Sequence, residues 1–170
     1  MHTTPANGNP LTALIDNELS VEVSMASMAM SEALRERYGA NVLGIVYYGS
    51  CFRTGTEKDG ILDIFVIVDD YRKIYPKRIL AIANKLLPPN VFYFEMDFEG
   101  STLRTKYAVI TLDQFIHRTS AKCFHTFFWA RFAQPCALTF VRDLAVRKEI
   151  IKALAGAIQT FVQTALPILP

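Results

Sequence analysis

The chain has 170 residues, of which 51% are apolar, 12% aromatic and 20% charged, with a mean hydropathy of +0.21. That length suits one domain, or one domain with a docked appendage, burying roughly 70% of its unfolded surface, and the composition excludes general disorder. The net charge of +2 divides into −4 over residues 1–100 and +6 over residues 101–170. Such a split is expected where a divalent cation meets phosphates, and equally where solvated faces differ in charge.

Residues 1–26 are expected as a loose N-terminal arm, because turn formers and polar residues alternate there without periodicity. No basic stretch followed by an apolar run marks a secretory leader. Asp16, Glu18 and Glu22 precede the first arginine, Arg35, which argues against a mitochondrial presequence. A helix is predicted from Ser27 to Tyr38, stopped by Gly39. Asn41 to Tyr48 is a β-rich run that halts abruptly at Gly49-Ser50. After a polar loop from Arg53 to Gly60, Ile61 to Val68 (ILDIFVIV) is apolar on both faces, the pattern of a central strand.

Tyr71 to Leu87 suits a helix ended by Pro88-Pro89. Val91 to Phe98 alternates, with Phe92, Phe94, Met96 and Phe98 on one side and Tyr93, Glu95 and Asp97 on the other. A strand is predicted from Lys106 to Thr111, after a turn at Glu99-Gly100. The remainder reads as helices over Leu112–Arg118, Ser120–Gln134 and Asp143–Leu166, the last with Leu144, Ile151, Leu154, Ile158 and Val162 at helical spacing. The uncharged run from Ala153 to Pro170 contains polar residues and two prolines and barely reaches spanning length, so no membrane span is expected. Cys51, Cys123 and Cys136 lack zinc spacing and read as free thiols. The basic residues are scattered, so no nucleic-acid partner is expected.

Chemistry concentrates at Tyr48-Gly49-Ser50 and at Asp63, thirteen residues after Ser50. A glycine at a strand end lets backbone N–H groups approach an anion, and the serine hydroxyl adds a donor. A carboxylate in an apolar strand must pair or ligate. A phosphate beside a carboxylate requires a cation, and Mg²⁺ with its oxygen preference is the expected one. A turn glycine with an N-capping serine explains the same residues structurally. Lys106 shares a strand face with Ala108 and Ile110 and suits a triphosphate counter-charge. Arg131, on a stripe with Phe124, Phe127 and Phe128, either extends its head to water or meets a buried anion. Asp69 and Asp70 fit a turn or helix cap as well as a site, and His117 and His125 have no partner at catalytic spacing.

Taken in order, YYGSCFR, LDIFVIVDDY, LRTKYAVI and WARFAQPCAL resemble the mitochondrial-type phosphatidate cytidylyltransferases, also called translocator assembly and maintenance proteins, across roughly residues 36–170. The resemblance implies a nucleotidyltransferase fold and Mg²⁺-dependent transfer of CMP from CTP to phosphatidic acid, with release of pyrophosphate. It puts Gly49 and Ser50 on the phosphate-binding Gly-Ser, Asp63 on the Leu-Asp-Phe strand and Asp69-Asp70 on Val-Asp-Asp. Lys106 and Tyr107 fall on the Lys-Tyr-Gly element, and Arg131 on the Gly-Arg-Leu before a proline. Asp63 and Lys106 are thereby the expected catalytic pair, with Gly49, Ser50 and Arg131 holding the nucleotide. The chain departs from the general nucleotidyltransferase pattern at Phe65, where a second carboxylate is wanted; Glu95 or Asp97 on the neighbouring strand are the candidates, and Glu95 joins Asp63 as the expected metal ligand. Tyr71 and Ile74-Tyr75 replace the family's Pro and Trp-His, and family members continue into a further C-terminal helical region.

The expected architecture is therefore α/β, a nucleotidyltransferase-like mixed sheet over residues 27–138 with flanking helices, and a helical C-terminal segment over 139–170. The expected location is the cytoplasm, with peripheral association at the inner face of a membrane. The alternatives are a nucleotidyltransferase with another acceptor, such as a small molecule or a protein hydroxyl, and an inactive relative that binds nucleotide or a partner protein.

Overall fold

The computed structural model describes residues 9–57, 60–75, 90–123 and 126–165. Helix α1 (Pro10–Leu19) opens with proline in its first turn, and Asn9 caps it by accepting the Leu11 N–H at 3.1 Å. Helix α2 (Met25–Tyr38) is capped by Ser24, which accepts the Ser27 N–H, and is closed at Gly39. Then follow β1 (Val42–Tyr48), the short helix α3 (Ser50–Thr54), β2 (Ile61–Val68), the single turn α4 (Tyr71–Ile74), β3 (Asn90–Phe98) and β4 (Ser101–Thr111). The chain continues through α5 (Leu112–Thr119), α6 (Thr126–Phe132), β5 (Cys136–Val141) and α7 (Leu144–Ala165).

The strands form one mixed five-stranded sheet in the order β3-β4-β2-β1-β5, with β2 and β4 parallel and every other pair antiparallel. β2 lies at its centre, which is why its sequence is apolar on both faces. Leu62, Ile64 and Val66 pack beneath Met30 and Leu34 of α2. Phe65 and Ile67 pack on the opposite face, beneath Phe115 of α5, Phe128 and Phe132 of α6 and Ile150 of α7. Helices thus cover both faces of a mixed α/β sheet, in the class the sequence predicts. The β3–β4 hairpin turns on Glu99 and Gly100, both with positive φ (50° and 75°), the conformation a two-residue hairpin loop requires.

Several sequence expectations are corrected. The loose arm contains α1, whose Ile15 and Leu19 are buried. Arg147 of α7 ties it down, donating from Nε to Asp16 Oδ1 at 2.7 Å and from Nη2 to Ser20 Oγ at 2.7 Å. Ser120–Cys123 is not helical, and Cys136–Val141, expected to lie in no strand, is β5, paired with β1. The boundary placed between residues 138 and 139 falls inside β5, so 27–138 and 139–170 share one sheet and one core. Strand β4 starts five residues earlier than predicted. The helix expected from Tyr71 to Leu87 is seen as Tyr71–Ile74, and residues 76–89 lie outside the described residues. The buried face of α7 runs through Val146, Ile150, Ala153, Leu154 and Ala157, while Leu144 and Val162 of the predicted stripe are 76% and 43% exposed. Among the described residues no helix is long and apolar enough to cross a membrane.

Candidate active site

The chain leaves β1 at Tyr48, turns at Gly49 with φ 92°, and enters α3 at Ser50. Only glycine holds that conformation readily. Space imposes the same choice: a Cβ at Gly49 would collide with Asp63 Oδ2 and lie 3.1 Å from Asp63 Cβ and Cγ. The carboxylate of Asp63 is therefore laid directly over the backbone turn. Pairing across the sheet puts Tyr48 opposite Asp63, Asp63 opposite Lys106 and Lys106 opposite Tyr93. Residues opposite one another share a face, so the four form one row across the strands on the face that carries α6.

Asp63 is half-buried, and burial raises its carboxyl above the ordinary range against the opposing charges of Arg131 and Lys106. Among the described residues no hydrogen-bond donor meets it. Arg131 descends from the last turn of α6, donating from Nη1 to Tyr48 Oη at 3.1 Å with its guanidinium 5.5 Å from the centre of the Tyr48 ring. Burial pushes the Tyr48 hydroxyl up to about 12, against the lowering effect of the Arg131 charge. Arg53 of α3 donates from Nη1 to Gln134 Oε1 at 2.7 Å, fastening α3 to the turn that follows α6. One contact thus fixes the element bearing Ser50 relative to the element bearing Arg131. Ser50 and Lys106 are exposed.

The structure brings Gly49, Ser50, Asp63, Lys106 and Arg131 to one end of the sheet, and it does not bring Glu95 to Asp63. Strand β3 neighbours β4 rather than β2, so Lys106 and Arg104 occupy the face between the two carboxylates. Glu95 pairs opposite Arg104 and accepts the Tyr93 hydroxyl at 3.1 Å, while Asp97 accepts the Thr102 hydroxyl at 3.3 Å. Asp70 caps α4, accepting the Arg72 N–H at 2.9 Å, and Asp69 pairs with Lys73. Tyr107 is buried on the opposite face against the Tyr38 hydroxyl, and His117 is exposed. Phe124 and His125 lie outside the described residues, as does the side chain of Phe127.

The chain matches no protein-family model and no curated protein. The donor set itself can be compared with the needs of Mg²⁺. A half-buried carboxylate with no donor of its own suits an ion that arrives with a triphosphate, since Mg²⁺ is commonly held by one or two carboxylates plus phosphate oxygens. A two-ion site is another matter: Lys106 stands beside Asp63 in register, and no group of three His, Cys, Asp or Glu residues able to hold a metal occurs among the described residues. A cleft of about 450 Å³ beside the N-terminus of α2, lined by Ser24, Met25, Glu57 and Phe98 among others, is separate from Gly49, Ser50, Asp63, Lys106 and Arg131, none of which lines it. Tyr48 was visible in sequence only as the residue before Gly49; its grip on Arg131 depends on where α6 lands, which carries no local signal.

Proposed function

We propose that this chain is a Mg²⁺-dependent nucleotidyltransferase of the phosphatidate cytidylyltransferase kind, moving CMP from CTP to phosphatidic acid and releasing pyrophosphate. The observation that carries the reading is the Asp63 carboxylate resting on the Gly49 turn with Lys106 and Arg131 around it. The acceptor and the base come from the sequence resemblance alone. In this reading the Gly49-Ser50 turn offers its backbone N–H groups and hydroxyl to phosphate oxygens. Lys106 and Arg131 balance the triphosphate charge, and Tyr48 keeps the guanidinium from folding back over the carboxylate. Asp63 would hold Mg²⁺ together with phosphate oxygens, and the ion would supply Lewis-acid polarisation at the α-phosphate. With no donor meeting it among the described residues, Asp63 would be ready as a ligand.

The test is incubation with CTP, Mg²⁺ and vesicles containing phosphatidic acid, reading pyrophosphate release and lipid-linked CMP. Turnover is expected from the native chain and not from Asp63→Asn. Equal turnover by the mutant would remove the ligand role of Asp63. The inactive-relative reading has one observation of its own: Phe65, where a second carboxylate is wanted, is fully buried in the core. Metal-dependent CTP binding without pyrophosphate release from any acceptor would select it.

A further inference from the structure

Phosphate-binding groups say nothing about the nucleoside, and the β3–β4 hairpin carries an exposed ring beside them. Tyr93 stands opposite Lys106 in the register, on the same face as Asp63 and two strand spacings from it, about 10 Å. It is 54% exposed, and among the described residues no other ring packs on it. Its hydroxyl donates to Glu95 Oε2 at 3.1 Å and lies close to Arg104. Glu95 is two residues further along the same strand and on the same face, so this bond draws the ring down along β3 instead of leaving it upright in water. An aromatic ring tethered at its polar end keeps one broad apolar surface in solvent. Leaving that surface wet is unfavourable, and ordering the ring in advance removes an entropic cost from anything that stacks on it. The other aromatic residues of β3, Phe92, Phe94 and Phe98, lie on the opposite face and pack against the core.

We propose that Tyr93, held in place by Glu95, is the platform on which the base of a nucleoside triphosphate stacks. This rests on the triphosphate reading of the neighbouring site. The ligand class is a nucleobase joined through ribose to phosphates held by Lys106 and Arg131 and, through Mg²⁺, by Asp63, with the ribose spanning from β4 towards β3. Stacking is tolerant of base identity because every base has a π-face, so the platform adds affinity for nucleotides over bare polyphosphate. Glu95 acts here as a positioning residue for the ring rather than as a metal ligand.

Equilibrium titration of the full chain with CTP and with inorganic tripolyphosphate, both in Mg²⁺, tests the proposal. Tyr93→Leu is expected to weaken CTP about tenfold or more and to leave tripolyphosphate unchanged, the second titration doubling as a check on folding. Tyr93→Phe, which keeps the ring and loses the tether, is expected to lose less than Tyr93→Leu. Lys106→Met is expected to weaken both ligands. Unchanged CTP affinity in Tyr93→Leu, or equal weakening of CTP and tripolyphosphate, would overturn the platform while leaving the phosphate site standing. A native chain that binds neither ligand would overturn both.

Discussion

Asp63 sits between two cations, yet its carboxyl is raised because the loss of water outweighs their attraction. The sign of the stability effect follows. A carboxyl whose folded pKa lies above its unfolded value penalises the folded state once it ionises; the penalty is absent below the unfolded value and grows as pH rises through the folded one. Asp63→Asn is thus expected to raise the melting temperature at pH 7, with the gain shrinking towards pH 4, even as turnover disappears. A mutant less stable than the native chain at pH 7 would mean that the carboxylate is a structural partner instead. Gly49→Ala tests the same contact from the other side. The new Cβ meets the carboxylate, and the residue must hold φ 92°, a conformation that costs a non-glycine residue about 1–3 kcal/mol. Chemical denaturation should report a loss of that size, and combining Gly49→Ala with removal of the Asp63 side chain should recover part of it.

Among the elements, strands whose sequence has a strong period were legible and those defined by their partners were not. β2 was readable to the residue because a strand buried on both faces has no polar position to blur its ends, apart from Asp63, which marks the site. β5 has six residues, and Cys136 and Ala137 are as compatible with helix as with strand. Only its pairing with β1 makes it a strand. Likewise, α1 has only ten residues, and Leu11, Ala13, Leu14, Ile15 and Leu19 are too short a series to show a helical period among the turn formers around them; what makes it part of the molecule is the meeting of Ile15 and Leu19 with α7 and the bonds from Arg147. Of the site, the glycine turn and the strand carboxylate were local features and could be read. The separation of Glu95 from Asp63 was not, since strand order is decided by chain crossings and not by any residue in either strand. If α1 is integral, Leu19→Ala, at a position 2% exposed, should cost about 2–4 kcal/mol in denaturant unfolding. A loose arm would show no change.

At the level of the whole molecule, the proposed lipid acceptor demands a surface that meets an anionic membrane. Residues 101–170 carry a net +6, and Arg142, Arg147, Lys148 and Lys152 cluster around the first turns of α7. Each basic residue near an anionic surface contributes about 1 kcal/mol, so four free charges would hold the protein at a bilayer. They are not all free. Arg142 pairs with Asp143 at 3.1 Å, Arg147 with Asp16 and Lys152 with Glu149 at 2.8 Å. Arg147 is moreover occupied in fastening α1, and its guanidinium cannot turn to a headgroup without releasing that helix. Insertion of the apolar side of α7 is opposed as well, because Ile150, Leu154 and Ala157 are already buried in the domain. Attachment must then be electrostatic and weak, with Lys148 the basic residue on this helix that no acidic side chain pairs among the described residues. Co-sedimentation with phosphatidic acid vesicles is expected at low salt and should vanish near physiological ionic strength, where the screening length falls to about 8 Å. Lys148→Glu should abolish the low-salt binding while sparing CTP affinity, since it lies outside the nucleotide groups. Vesicle binding that survives 0.5 M salt would indicate an apolar contact, contrary to the packing of α7. A native chain that fails to sediment even at low salt would withdraw the lipid as acceptor and leave a soluble hydroxyl or phosphate in its place.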